Sequence, residues 1–228
     1  MSDPFPVIDH RNESGSLLPI LVWRFPYPAL AISSTPLGGG LGRRSWVINA
    51  SVEKTYTRTD PAEHLRELAG GLDLTGDGVG FLTAVDVTNH VTREDGGVLA
   101  DATVGLGHPT WAAAPDGDFR ELRPGTINLV IWVPVPLSEA ALVNTVISAT
   151  EAKTQALWDH GVDATGTGSD AIFVACATSE GAPIRHEEPH GGPRSRWGAR
   201  VARAVHEAVS TGADQWLRAG QTWRTSPA

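Results

Sequence analysis

Residues 150–177 contain the feature that most constrains the fold: a helical segment, a polar turn and a buried strand follow one another. The turn reads Thr-Gly-Thr-Gly-Ser-Asp at residues 165–170, and the strand at residues 172–176 carries no charged side chain. A turn between two buried elements holds its hydroxyls, amides and carboxylate in fixed positions, as catalysis requires. We therefore place the candidate site at this turn.

The helix that leads into the turn is predicted over residues 138–160, with Ser138 as its N-cap and Gly161 after its end. Glu151 and Lys153 are two residues apart, which is about 200° around a helix axis. The two side chains should therefore not share a face. A site that used both would have to wrap around this helix.

Apolar segments predict the other strands, and the first two should form a hairpin around the turn Pro26-Tyr27-Pro28. A short helix is predicted with Asp60 as its N-cap and Pro61 at its first position, ending at Gly70 and Gly71. The predicted strands lie at residues 19–25, 29–34, 46–52, 79–87, 99–106 and 124–133; residues 93–97 and 114–123 are polar loops, and a last helix spans 196–210.

Residues 1–17 are polar and contain Pro, Gly and Ser, so we expect a flexible N-terminal arm there. No internal repeat or linker divides the remainder, which predicts one catalytic domain at residues 18–220 and a C-terminal tail at residues 221–228. Strands and helices do not alternate regularly. The predicted fold class is therefore α+β, a single domain with a mixed layered sheet and flanking helices.

The net charge of −8 leaves no basic face for phosphate backbones, so nucleic acid is not expected as a partner. No apolar run approaches the roughly 18 residues of a membrane span, and the first residues lack a signal-peptide pattern. We expect a cytoplasmic protein with no membrane partner; a homo-oligomer is compatible with the sequence but not specified by it. The single cysteine, Cys176, excludes an internal disulfide and is predicted to be a small buried hydrophobe.

Residues 186–190, His-Glu-Glu-Pro-His, match the zinc-protease pattern H-E-x-x-H, which works only on a helix. Pro189 and the Gly-Gly-Pro that follows at residues 191–193 argue against a helix, so we expect no metal site and no cofactor. The nucleophile elbow G-x-S-x-G and the P-loop pattern do not occur. The hydrolase and nucleotide-binding routes that depend on those motifs are therefore excluded.

The roles of three features stay open. Gly38, Gly39 and Gly40 allow backbone to approach a ligand closely, but they precede a strand, so a mobile turn is an equal interpretation. Asn49 lies in an apolar strand and must find hydrogen-bond partners, either within the core or in a ligand pocket. The turn at residues 165–170 has a structural interpretation too, in which Asp170 accepts backbone amides and Lys153 extends to solvent.

A series of short blocks occurs in a specific order and spacing at residues 33–40, 48–52, 56, 79–84, 103–105, 124–128, 150–157 and 164–171. The first reads Ser-Ser-Thr-Pro-Leu-Gly-Gly-Gly, and the last reads Ala-Thr-Gly-Thr-Gly-Ser-Asp-Ala. Each block alone is a weak signal. Together they resemble the adenosylcobinamide amidohydrolase family of corrinoid salvage over nearly the whole chain after residue 20.

The resemblance implies hydrolysis of the amide between the corrin ring's propionyl side chain and aminopropanol, which releases adenosylcobyric acid. The expected partner is a small-molecule corrinoid, and the alternative is a corrinoid-binding protein without catalysis. Amide hydrolysis needs an activated nucleophile, oxyanion donors and an acid for the amine.

Two mechanisms stay open on the residues alone. In the first, Asp170 or Glu151 activates water, and the oxyanion is stabilised by Lys153 or by the amides of residues 166–168. In the second, Thr165 or Thr167 is the nucleophile and Lys153 the base. Substrate binding is assigned to a further set of residues: Gly39, Gly40, Asn49, Thr126 and Asn128.

Overall fold

The computed structural model describes residues 4–115, 125–178 and 186–219. Three α-helices lie within these residues: α1 Pro61–Gly71, α2 Glu139–Asp159 and α3 Arg196–Arg218. The strands of the same residues are β1 Val7–Glu13, β2 Ser16–Ser33, β3 Gly40–Ser51, β4 Gly78–Thr83, β5 Val91–Asp95, β6 Val98–Val104, β7 Pro109–Thr110, β8 Ile127–Val133, β9 Gly166–Thr167 and β10 Ala171–Cys176. None of the helices described is long and apolar enough to cross a membrane.

The main sheet has the strand order β4-β3-β2-β10-β8-β6-β5, and β1 pairs with β2 outside this path. Strand pairs β3–β4 and β8–β10 are parallel, whereas the other pairs are antiparallel. The short strands β7 and β9 form a second, two-stranded sheet. This mixed sheet with flanking helices confirms the predicted α+β class.

The sheet is curled, as shown by side chains of distant strands that meet on its inner face. Asn49 Nδ2 on β3 donates to Thr103 Oγ1 on β6 at 3.0 Å, although β2, β10 and β8 lie between these strands. The apolar cluster on the inner face includes four aromatic side chains: Trp23, Phe25, Phe81 and Phe173. On the outer face, α2 and α3 cover β6, β8 and β10, while α1 covers β2 and β3.

The first strand lies where the sequence predicts a flexible arm. Residues 7–13 pair with β2 along their whole length, from Val7 opposite Val22 to Glu13 opposite Ser16. Ser14 and Gly15 form the connection with φ of 50° and 85°. Two consecutive residues with positive φ match the twist of a hairpin, so this short turn brings the segment back onto the sheet.

The predicted hairpin at residues 19–34 is wrong, because β2 is one continuous strand. Both of its halves pair with β3: Arg24 lies opposite Trp46, and Ala29 lies opposite Arg44. Residues 25–28 therefore bulge out opposite Ser45. Proline has no N–H to donate to a ladder, and a bulge is one of the few places in a sheet that tolerates it.

The predicted helix starts are confirmed. Ser138 caps α2, its Oγ accepting from the amide of Ala141 at 3.2 Å, and α1 begins with Pro61 after Asp60. Asp60 occupies the predicted N-cap position, but its carboxylate accepts from Arg58 and makes no capping hydrogen bond. Helix α3 continues past its predicted end at Ser210, since its buried stripe extends to Ala213.

The remaining segments agree with the predictions except at β5. Strands occur within residues 46–52, 79–87, 99–106, 124–133 and 172–176, as predicted. Residues 91–95, partly predicted as a polar loop, form a hairpin with β6 through Gly96 and Gly97, both of which have positive φ. The predicted C-terminal tail at residues 221–228 lies outside the described residues, as does most of the predicted loop at 114–123.

Cys176 is 1% exposed, and burial raises the pKa of its thiol from 9.0 to about 11. The prediction that Cys176 is a small buried hydrophobe is thereby confirmed. We expect iodoacetamide to alkylate the native protein at least about 100-fold more slowly than the urea-unfolded protein near pH 8, since the thiolate fraction falls tenfold per pKa unit. Mass spectrometry of quenched time points measures both rates. Equal rates in the two states would contradict a buried thiol.

Candidate active site

Asp170 immediately precedes β10 and connects three elements through its carboxylate. Its Oδ1 accepts from the amide of Ile127, at the start of β8, at 2.9 Å and from Thr167 Oγ1 at 2.5 Å. Its Oδ2 accepts from the amide of Thr167 at 3.1 Å and from the ammonium of Lys153 on α2. These four donors fix both oxygens of the carboxylate in space.

Lys153 does not extend to solvent. Its side chain is 7% exposed and that of Asp170 is 11% exposed, so the ion pair between them is almost completely buried. A buried ammonium without a carboxylate partner would be costly, which explains why both charges occur together. The structural interpretation of the turn is thus right about the amide donors to Asp170 but wrong about Lys153.

Glu151 lies on the exposed side of α2, whereas Lys153 is buried, so the prediction that they do not share a face is confirmed. Thr165 connects the turn to the neighbouring β7 segment. Its Oγ1 accepts from the amide of Ala112 at 2.8 Å and donates to the carbonyl of Thr110 at 3.3 Å. Of the catalytic candidates, the structure therefore brings together Lys153, Thr167 and Asp170.

The predicted amide-bearing residues form a second, buried cluster on the inner face of the sheet. Asn128 Nδ2 donates to Asn49 Oδ1 at 3.1 Å, and Asn128 Oδ1 accepts from Thr126 Oγ1 at 3.2 Å. Thr126 Oγ1 also lies 2.9 Å from the carbonyl of Ser169. Asn49, Thr126 and Asn128 are each less than 5% exposed. The contact between Thr126 and Ser169 connects this buried cluster to the turn.

Gly39 and Gly40 lie where β3 begins, at the same end of the strands as Asp170. Gly40 pairs with Ser33 of β2, and the neighbouring Ser34 accepts through its Oγ from the amide of Ile172 at 3.0 Å. A side chain at Gly39 would lie 2.5 Å from the carbonyl of Thr35, whereas one at Gly40 would meet open space. The glycine turn and Asp170 are thus connected across β2 and β10.

Residues 6–221 match the family described as adenosylcobinamide amidohydrolase. The chain belongs to the adenosylcobinamide amidohydrolase family. It is 33% identical over 183 residues to the adenosylcobinamide amidohydrolase of Methanosarcina mazei, covering 78% of this chain and 88% of that one. It is 32% identical over 188 residues to the adenosylcobinamide amidohydrolase of Halobacterium salinarum, covering 79% of each chain.

A crystal structure of a Pyrococcus horikoshii protein matches with a TM-score of 0.44 at 11% identity, over 86% of this chain and 77% of that one. Membership of the adenosylcobinamide amidohydrolase family makes the chain an enzyme, a hydrolase. The predicted family is thereby confirmed.

Residues 186–190 do not form a helix in this member of the adenosylcobinamide amidohydrolase family. Glu188 forms an isolated parallel bridge with Leu137, and its amide donates to the carbonyl of Pro136 at 2.9 Å. The H-E-x-x-H match therefore lacks the helical geometry that would place both imidazoles on one face. Across residues 4–115, 125–178 and 186–219, no group of three or more His, Cys, Asp or Glu side chains could hold a metal ion.

Asp101 is a buried acid that the sequence patterns did not single out. Its Oδ2 accepts from Trp23 Nε1 at 3.0 Å, and its Oδ1 accepts from the hydroxyl of Thr92. Burial raises the pKa of this carboxyl, while the hydrogen bonds from Thr92 and Trp23 lower it. The strand alternation could have indicated its burial, because Asp101 shares the inner face of β6 with Leu99 and Thr103.

A second missed group connects β1, α1 and the loop between β3 and α1. Tyr56 Oη lies 3.0 Å from His64 Nδ1, and His64 Nε2 lies 3.3 Å from Glu13 Oε1. Burial raises the pKa of Tyr56. Because Glu13 falls in the segment predicted as a flexible arm, the sequence could not indicate this contact.

Gly166 leaves the space that the buried ion pair occupies. A Cβ at this position would lie 2.3 Å from Asp170 Oδ2 and 2.5 Å from Lys153 Nζ. We expect Gly166→Ala to lower the free energy of unfolding by about 1–3 kcal/mol, because overpacking must displace one of these charges. Urea denaturation followed by circular dichroism measures the change.

Gly70→Ala is the matched control, because Gly70 lies in α1 and a Cβ there would meet nothing within 4 Å. Alanine favours a helix over glycine by up to about 1 kcal/mol, so this variant should be as stable as the parent protein or more stable. A Gly166→Ala protein that unfolds at the same urea concentration as the parent would contradict tight packing around the ion pair.

Proposed function

We propose that this protein hydrolyses the amide of adenosylcobinamide that joins the propionyl side chain of the corrin ring to aminopropanol. The products would be adenosylcobyric acid, which cobalamin biosynthesis can reuse, and aminopropanol. The observation that carries the proposal is the contact of Thr167 Oγ1 with Asp170, whose other oxygen is held by Lys153. The names of the two relatives support the choice of substrate.

The three residues have the arrangement of an activated nucleophile: a hydroxyl, a base within hydrogen-bond reach, and a third group that orients the base. Thr167 is partly exposed, whereas Lys153 and Asp170 are nearly buried, so the hydroxyl is the member that a substrate can reach. Lys153 contacts Asp170, which favours Asp170 as the base and Lys153 as the orienting group.

In the proposed reaction, Thr167 Oγ attacks the amide carbon while its proton passes to Asp170. The tetrahedral intermediate collapses, the C–N bond breaks, and the leaving amine takes the proton from Asp170. Water then attacks the ester on Thr167 and gives a proton to Asp170. The ester C–O bond breaks, Thr167 Oγ takes that proton back from Asp170, and the carboxylic acid is released. The amide of Gly168 is the proposed oxyanion donor, since the amide of Thr167 already donates to Asp170.

Incubation of the purified protein with adenosylcobinamide, followed by mass spectrometry, tests the proposal. We expect adenosylcobyric acid and aminopropanol in equal amounts, with and without a chelator. Acid quenching during turnover, followed by peptide mapping, should show a substrate-derived ester on Thr167.

Two other results would count against parts of this proposal. Unaltered corrinoid that stays bound would indicate a binding protein without catalysis. Product without any Thr167 adduct, together with full activity of Thr167→Val, would instead indicate direct attack by water.

A further inference from the structure

Strand β1 is an edge strand that is paired on one side only. Residues 7–13 pair with β2, and no other strand within residues 4–115, 125–178 and 186–219 pairs with the opposite side of β1. Most of its side chains are exposed, including Val7 at 60% and Ile8 at 42%. An open edge of this kind presents backbone N–H and C=O groups to which another strand can pair.

The other outer edges of the sheet are each engaged by another segment. On β4, the amide of Gly80 donates to the carbonyl of Leu37 at 3.1 Å, and on β5, Asp95 binds the guanidinium of Arg203 from α3. Strand β1 also lacks two common protections of an edge. Residues 7–13 contain no proline or lysine, and they pair with β2 one to one, without a bulge.

The amide of His10 points to the open side of β1. His10 lies opposite Pro19 of β2, but its amide donates to the carboxylate of the adjacent Asp9 at 2.7 Å. Paired strands are less than about 5 Å apart, which leaves no room for a carboxylate between them. This donor is therefore available to a further strand once the Asp9 side chain turns away.

The charges of β1 favour pairing with a second copy in one register. If His10 lies opposite the partner's His10 in an antiparallel pair, Asp9 lies opposite the partner's Arg11. A shift by two residues instead places two copies of Asp9, or two copies of Arg11, opposite each other. Opposite charges across a strand pair stabilise it, whereas like charges destabilise it. Arg11 keeps the contact with its own Glu13, which is 2.7 Å long, in this arrangement.

Exposed apolar side chains complement this register. Leu17 of β2 is 65% exposed and lies opposite Asn12 of β1. With His10 at the centre, Ile8 lies opposite the partner's Asn12. Directly opposite residues share a face of a sheet, so Ile8 and the partner's Leu17 would lie on one face, on either side of the partner's Asn12. Pairing would thus gather exposed apolar groups of both copies on one surface.

We propose that β1 pairs with β1 of a second copy of this chain, antiparallel and about a two-fold axis at His10. The pairing joins the main sheets of two protomers into one continuous sheet. The interface is isologous, since the same seven residues of each copy form it. This inference goes beyond the proposed reaction and does not depend on it.

His10→Cys tests the register, because Cys176, the single cysteine of the chain, is only 1% exposed. Directly opposite residues in an antiparallel pair have Cα atoms about 4.5–5.5 Å apart, which a disulfide can bridge. Asn12→Cys is the matched control. Position 12 is also exposed, but in this register it lies roughly 14 Å from its own copy.

Oxidation of both purified variants, followed by electrophoresis without reductant, measures the rate of cross-linking. We expect His10→Cys to form a covalent dimer at least about tenfold faster than Asn12→Cys, because only position 10 meets the distance requirement. Circular dichroism verifies that both variants are folded.

Asp9→Lys tests the charge argument, since it places a lysine opposite the partner's Arg11. Sedimentation velocity over a dilution series measures the Kd of the dimer. We expect Asp9→Lys to raise this Kd at least about tenfold, because like charges across an interface oppose association. Asp163→Lys makes the same change of net charge at an exposed position outside β1, so it should leave the Kd within about twofold.

Three results would overturn the proposal. The parent protein could stay monomeric at every concentration. The two cysteine variants could cross-link equally fast, as in random collision, or Asp9→Lys could leave the Kd unchanged, as for a dimer formed through another surface. Each of these measurements is independent of corrinoid hydrolysis, so failure of the interface and failure of the proposed function are distinguishable.

Discussion

Asp170→Asn is expected to lower the rate of adenosylcobinamide hydrolysis by at least about 100-fold, the lower end of what general base catalysis contributes. Asparagine keeps the size of the side chain and an oxygen for the amide of Ile127, but it cannot take the proton of Thr167. The loss should appear mainly in kcat, because the proposed role of Asp170 lies in the chemical step and not in substrate binding. Release of adenosylcobyric acid at saturating substrate measures it, and circular dichroism verifies the fold.

Asp163→Asn is the matched control, because Asp163 is an exposed carboxylate between α2 and the turn. Its activity should stay within about twofold of the parent protein, as for most surface changes. Glu151→Gln should also remain active, since Glu151 is exposed on α2. A large loss in Glu151→Gln together with near-normal turnover in Asp170→Asn would overturn the assignment of the base.

Lys153→Met is expected to lower the free energy of unfolding by about 3 kcal/mol or more, since removing one partner of a buried pair leaves an uncompensated charge. The ammonium is nearly inaccessible to water, so solvent cannot replace it beside Asp170. Urea denaturation at neutral pH, followed by far-ultraviolet circular dichroism, measures the change.

The double variant Lys153→Met with Asp170→Asn separates stability from catalysis. It removes both charges, so it should recover part of the stability that Lys153→Met loses. It should nevertheless remain inactive, because the base is absent. A double variant no more stable than Lys153→Met would show that the hydrogen bonds to Asp170, rather than its charge, dominate at this position.

Local patterns predicted the individual elements well. Ser138 caps its helix as expected, and the buried strand begins immediately after Asp170. Such features depend on a few neighbouring residues, whose capping and burial preferences act within one or two turns of chain. The proline segment at residues 26–28 misled the prediction, because proline indicates a break in the ladder without indicating whether the strand then continues.

In the candidate site, too, the local residues were predictable and the partners from distant segments were not. Sequence alone located Lys153, Thr167 and Asp170 on one short stretch, and the family resemblance added the chemistry. The partners from elsewhere could not be predicted: the amide of Ile127 lies 43 residues from Asp170, and Asn49 lies 54 residues from Thr103.

Local sequence therefore determined the helix, the turn and the strand, as well as the presence of a carboxylate and a lysine within them. The order and curl of the strands decided that Asn49 meets Thr103 and that the amide of Ile127 reaches Asp170. Strand pairing depends on apolar burial summed over the whole sheet and on closing long loops, and no short segment carries that information.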